Sequence, residues 1–184
     1  MDVSNDSISD LTGIEDFTAL TNLECNDNQL TNLYVSQNTA LTELKCWGNQ
    51  LTNLGLTTNT SLQILYCFDN SLTTLDISQN INLQEIYCWV NQITSLDVTS
   101  NINLTEIKCD DNPIISLDLS SNLALMRLNV SNTQLSLLDL SNNLSLEYLR
   151  CSYTLLDSLD LSVNNDIRFF WCENSRQHSG VSIT

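Results

Sequence analysis

Seven cysteines, one histidine and twenty-two carboxylates are the side chains of this 184-residue sequence best suited to chemistry. Seven thiols raise the possibility of zinc or disulfides, but their spacing argues for neither. Cys25, Cys46, Cys67, Cys88 and Cys109 lie 21 residues apart, as do Cys151 and Cys172, and Val130 fills the gap in the series. A position that accepts Val wants a medium apolar side chain, and Cys supplies one. A straight row of parallel side chains cannot form the tetrahedron that zinc prefers. Nor does it offer the converging Cβ vectors of a disulfide. Seven buried free thiols are therefore expected. Cys172 and His178 form the one nucleophile–base pair that proximity in sequence suggests, and membership of the buried column makes Cys172 inert. Acid–base catalysis by carboxylates needs a pair with shifted pKa in a pocket, and here the carboxylates line outward columns. No enzyme and no cofactor is expected.

Asp76, Asp97, Asp118, Asp139 and Asp160 form a second series of the same period, with Ser78, Thr99, Ser120, Ser141 and Ser162 two positions on. Stacked carboxylates about 5 Å apart repel by somewhat under 1 kcal/mol per pair in water, and calcium could relieve this. These five are weak candidate metal ligands. The favoured reading is local, with each Asp bonded to the Ser or Thr beyond it. Threonine rows such as Thr31, Thr52, Thr73 and Thr94 suggest an ice-binding surface, but Ile115, Ser136 and Asp157 break the row.

The elements that position these residues follow from the period. Leu20, Leu41, Leu62, Leu83, Leu104, Leu125, Leu146 and Ile167 recur without insertion, and so do Leu23, Leu44, Leu65, Ile86, Ile107, Leu128, Leu149 and Phe170. Each unit opens L-x-x-L-x-C-x-x-N-x-L and continues L-D-x-S-x-N. Both halves alternate apolar and polar residues with period two, which is a strand signal. No window has the long 3–4 apolar spacing of a helix. The pattern predicts an all-β solenoid of about eight 21-residue repeats, with parallel sheets on both faces and little or no helix. Stacked coils share one core that no single repeat could bury, and eight make a rod on the order of 40 Å long.

L-x-x-L-x-C-x-x-N-x-L resembles the defining segment of leucine-rich repeats, with Cys for the third Leu. The nested 21-residue form is similar to the bacterial IRREKO type, and its L-T-x-L-D-V-S-x-N variant resembles surface proteins of Bacteroidetes. The resemblance covers roughly residues 8 to 172. It implies a binding scaffold, a concave first-strand face where ligands dock, and a secreted or cell-surface location. Residues 1–19 are expected to form an N-terminal partial repeat or cap, 20–172 the solenoid, and 173–184 a C-terminal cap or tail. Asp2-Val3-Ser4 reads as the tail of a repeat.

Register then sorts the outward residues. The chain has twelve aromatic residues. Nine of them face outward with the first strands: Trp47, Tyr66, Phe68, Tyr87, Trp89, Tyr148, Tyr153, Phe169 and Trp171. Clustered aromatic residues rimmed by charge mark interaction surfaces. Trp47, Tyr66, Phe68, Tyr87 and Trp89, flanked by Lys45 and Lys108, are the expected ligand-binding residues, with the two lysines available to a ligand carboxylate. The ligand is expected to be a glycan or a protein segment, and weak self-association is a lesser expectation. A spacer or adhesin stalk of a larger surface protein is the alternative.

Charge excludes other classes. Six Lys and Arg against 22 Asp and Glu give a net charge of −16, which disfavours nucleic acid and anionic membranes. No apolar run approaches the ~18 residues of a membrane span. The N-terminus lacks the charged and apolar regions of a signal peptide.

Overall fold

The computed structural model of the protein describes residues 1–173 and the short strand Ser182–Ile183. His178 and most of the expected C-terminal cap lie outside the described residues. The first half of each repeat forms one strand of an eight-stranded parallel sheet. Its members are β1 (Asn22–Glu24), β2 (Glu43–Lys45), β3 (Ile64–Tyr66), β4 (Glu85–Tyr87), β5 (Glu106–Lys108), β6 (Arg127–Asn129), β7 (Tyr148–Arg150) and β9 (Phe169–Trp171). Every pairing sets a residue against its equivalent in the next repeat, for example Leu44 with Leu65 and Tyr66 with Tyr87. Bonds such as Cys46 N–H to Tyr66 O (2.8 Å) and Asp27 N–H to Trp47 O (2.9 Å) continue the ladder past each strand.

The inward columns build one continuous core from Ile14 to Leu159. Cys46, Cys67, Cys88 and Cys109 have no exposed surface. All seven thiols are free. Burial alone raises the Cys25 thiol to about 12, and the more deeply buried thiols of the column are also pushed up. Cys172 departs from the expected burial: at the last rung of the large sheet it is only half-buried. Leu20, Ile167 and Phe170 are likewise only partly covered, because a terminal coil packs fully on one side only.

The second face differs from the expected sheet. Among the described residues its only ladder joins β8 (Ser158–Leu159) to β10 (Ser182–Ile183). The reason lies in the L-D-x-S-x-N half-repeat, which satisfies its backbone locally. Asp76 accepts both the N–H and the hydroxyl of Ser78, at 3.0 and 2.7 Å. Asn80 N–H then bonds Ile77 O at 3.0 Å. Too little extended chain remains between these turns for a ladder. The coils are joined there by asparagine instead: Asn80 Nδ2 donates to Leu56 O (3.0 Å) and Asn59 O (2.8 Å) of the preceding coil. Asn38, Asn59, Asn101, Asn122, Asn143 and Asn164 repeat these bonds. The only helical element among the described residues is one 3-10 turn, Ile14–Asp16.

Residues 1–19 form a coil of their own. Asp2 bridges Glu24, and Val3 N–H bonds Glu24 O at 2.8 Å. This puts Val3 in the cysteine column, level with Cys25, at a spacing one position wider than the period of the later coils. Asp2-Val3-Ser4, read above as a repeat tail, therefore lies on the first face. It keeps the Asp–Ser bonds of that motif, at 3.0 and 2.7 Å.

Candidate functional site

Alternation about Leu44–Cys46, Leu65–Cys67 and Ile86–Cys88 turns five rings outward, and in-register pairing stacks them along the solenoid axis. Trp47 lies on Phe68 with ring centroids 4.9 Å apart, and Phe68 on Trp89 at 4.2 Å; the planes differ by 9° and 12°. A second stack beside it joins Tyr66 and Tyr87 at 4.2 Å and 6°. Lys108 Nζ closes that stack, 3.9 Å from the centre of the Tyr87 ring. The rings line a depression of about 480 Å³, completed by Ser4, Glu24, Asn26, Lys45 and Lys108. All five rings are half-buried. The structure thus brings together all seven expected residues.

Both lysines already have carboxylate partners. Lys45 Nζ lies 2.7 Å from Glu43 and 3.3 Å from Glu24. Lys108 Nζ lies 2.9 Å from Glu106, which Arg127 also approaches at 3.6 Å. Tyr66 donates its hydroxyl to Glu85 at 2.5 Å, and desolvation first, this bond second, pushes its pKa up.

Sequence reasoning left three features of the site unassigned. Ser4 reaches the groove because the first coil is out of step with the period by a single position. Glu24 and Asn26 stand in the same outward columns as Lys45 and Trp47, and that register was available to find them. Beyond the groove, Asp110 continues the column of Trp47, Phe68 and Trp89 by one rung and lines a neighbouring depression with Arg150 and Trp171. Its Oδ1 is buried without a hydrogen-bond partner. Desolvation raises its pKa to about 6, and the neighbouring Asp111 adds to the rise.

The column beside the rings is Asp27, Gly48, Asp69, Val90, Asp111, Asn132 and Tyr153, and each has φ between 48° and 64°. Gly, Asp and Asn tolerate this left-handed turn, whereas Val and Tyr are strained there. At Gly48 the fit is tighter still: a Cβ would lie 2.6 Å from Asp27 Oδ1.

The five weak metal candidates do not converge. Asp97 accepts the hydroxyl and N–H of Thr99. Asp118, Asp139 and Asp160 accept N–H groups from Ser120, Ser141 and Ser162. These bonds hold all five carboxyls below their ordinary value. Among the described residues no group of three His, Cys, Asp or Glu is placed to hold a metal ion.

No family model and no curated protein matches the chain. Solved structures do. The functional domain of InlJ from Listeria monocytogenes, described as including a cysteine ladder, is 34% identical over 96% of this chain and 53% of its own, with a TM-score of 0.67. A leucine-rich-repeat protein of Leptospira interrogans superposes with a TM-score of 0.77 at 20% identity, over 89% of this chain and 52% of its own. The chain has the leucine-rich-repeat fold. Internalin C2 of Listeria monocytogenes is 27% identical over 79% of this chain and 76% of its own, with a TM-score of 0.61. The chain spans about half the length of the first two. No helix of the described residues is long and apolar enough to cross a membrane.

Proposed function

We propose that this leucine-rich-repeat chain is a non-catalytic recognition module that binds a protein segment in the aromatic groove of its large sheet. One observation carries the reading: five aromatic residues on three successive strands line a single open depression. Clustered, half-exposed rings of this kind supply the anchors of protein interfaces.

The stacking favours a protein segment over a glycan. A sugar stacks on an open aromatic face. Phe68 has both faces covered, by Trp47 and Trp89, and Tyr87 lies between Tyr66 and Lys108. What the groove offers is mainly ring edges, which suit apolar side chains. The same reading takes the repeat unit as the nested IRREKO type. It places the protein at the cell surface or outside the cell, on the resemblance of that unit to surface leucine-rich-repeat proteins.

The test is selection of a displayed random-peptide library on the wild-type protein, with a glycan array run alongside. Selected peptides should lose binding to a Trp47→Ala/Trp89→Ala variant that remains folded. Peptides that bind the variant equally well would refute the groove, and glycan binding without peptide binding would reverse the choice of ligand.

A further inference from the structure

Each coil returns from the second face to the large sheet through a tight turn. Leu83 N–H bonds Asn80 O at 3.0 Å with both residues buried, and equivalent bonds recur at Leu104, Leu125 and Leu146. Residues at the tip of such a turn point away from the core, and tips favour small polar residues. Thr39 and Thr60 meet that preference in two early coils. In the next four coils the same position holds Ile81, Ile102, Leu123 and Leu144, each more than half exposed. The coils are in step here, since Asn103 Nδ2 donates to Ile81 O at 3.0 Å. The four side chains therefore form one row, roughly 15 Å long at about 4.8 Å per coil.

A single exposed aliphatic residue needs no explanation, but a contiguous apolar row does. The row also has uncharged margins. Residues 77–84, 98–105, 119–126 and 140–146 contain no Asp, Glu, Lys or Arg. Asp76 and Glu85 bound the first of these segments, as Asp97 and Glu106 bound the second. A basic partner would seek the carboxylates. A neutral apolar strip is instead where a strongly acidic body can approach without meeting like charge. Another copy of this chain, with its net charge of −16, is such a body.

We infer that two copies of the chain pair through this row, antiparallel, about a two-fold axis that passes between Ile102 and Leu123. Ile102 of each copy then faces Leu123 of the other, and Ile81 faces Leu144, which makes the contact isologous. Charge at the ends of the row chooses the direction. The coil beyond Leu144 has Asn165 and Asp166 at its tip, and the coil before Ile81 has Thr60 and Ser61. Antiparallel copies set Asp166 beside Thr60 and Ser61, whereas parallel copies would set it against another Asp166. A contact this narrow falls short of the ~800 Å² per partner of a standard interface, so the pair is weak and forms at high protein concentration. It uses none of the groove residues.

Sedimentation equilibrium between about 10 µM and 1 mM tests it. The average mass of the wild-type protein should rise with concentration. The rise should be steeper in about 500 mM than in about 50 mM NaCl, because salt screens the repulsion between two acidic chains. Ile102→Thr/Leu123→Thr installs the residue that Thr39 and Thr60 already place at this tip, so the chain should stay folded by circular dichroism. It should raise the dissociation constant at least tenfold. Ile115→Thr/Leu137→Thr removes two aliphatic side chains from the second face that are at least as exposed, at 61% and 75%, and should leave the constant unchanged. Direction is read from a mixture of 13C-labelled and unlabelled chains, where NOEs between Ile81 and Leu144 of different copies are expected. Contacts of Ile81 with Ile81 would overturn the antiparallel pair. A wild-type protein that stays monomeric throughout would overturn the inference, as would a row variant that pairs as well as the wild type. Equal weakening by both double variants would do the same, since it would show general apolar adhesion without a site.

Discussion

Phe68 and Trp89 stack with centroids 4.2 Å apart although a full repeat of chain separates them. Since Phe68 also covers Trp47, the middle ring of the column takes part in two contacts and each tryptophan in one. Aromatic pairs contribute about 0.5–1.5 kcal/mol beyond area burial. Phe68→Ala should therefore lower the unfolding free energy by about 1–3 kcal/mol more than area alone, roughly twice the excess for Trp47→Ala. Urea unfolding of the two variants checks this, and equal excess losses would mean that the rings do not act as a stack.

Val90 occupies the left-handed turn that Asp27, Gly48, Asp69, Asp111 and Asn132 occupy in other coils. A β-branched residue is strained there by about 1–2 kcal/mol. Val90→Asn should raise stability by about 1 kcal/mol, while Asp69→Asn should be near neutral. A destabilised Val90→Asn protein would show that Val90 packs rather than strains.

Stability should rise as pH falls from 7 toward 5. Asp110 has a folded pKa of about 6 against an ordinary value of 3.8. Between those values the folded chain holds a proton that the unfolded chain has lost, so acidification favours the folded state. Desolvation chiefly, and then Asp111, cause the rise in this pKa; a hydrogen bond from its own backbone, then Arg150 and Lys108, oppose it. Asp76, Asp97, Asp118, Asp139 and Asp160 are shifted the other way. Their stabilisation is present above 3.8 and is lost only as pH falls below it. Thermal unfolding at several pH values should thus show a maximum on the acid side of neutrality. Asp110→Asn should raise the melting temperature at pH 7 and flatten the slope between 5 and 7. An unchanged slope in that variant would rule Asp110 out as its source.

The thiols should react in two classes. Cys46, Cys67, Cys88 and Cys109 are sealed and hard to ionise, so a thiol reagent should leave them untouched in the native protein. The half-buried Cys172 should react first. Unfolding without reductant should release about seven equivalents, the number of cysteines in the chain. Fewer would reveal disulfides. Cys109→Val should cost under about 1.5 kcal/mol, since Val130 fills the same column without exposed surface.

The columns of the fold were legible because the period never slips from Leu20 to Ile167: once Leu44 and Cys46 point inward, Trp47 and Lys45 must point outward. Other features depend on detail that a period does not carry. The rotamers that lay Phe68 between two indoles are set by neighbouring rings, not by alternation. The second face reads as strand in L-D-x-S-x-N, yet Asp76 and Ser78 close the backbone on itself and leave no ladder. Val3 sits on the face opposite to the one its motif suggests, because the first coil breaks step with the rest. The left-handed column had a signal in its run of Asp, Gly and Asn, which Val90 and Tyr153 interrupt. Asp110 reads as one more outward carboxylate, and only the packing around it shows an oxygen without a partner.

The asparagine bonds of the second face all run one way. Asn59 donates to the coil of Val35 and Asn38, Asn80 to that of Leu56 and Asn59, and so on to Asn164. Each of these amides thus satisfies carbonyls of the preceding coil, whereas in the large sheet backbone groups such as Cys46 N–H donate forward, to Tyr66 of the next coil. Every internal coil is therefore held from both sides, and removing one would unpair both of its neighbours at once.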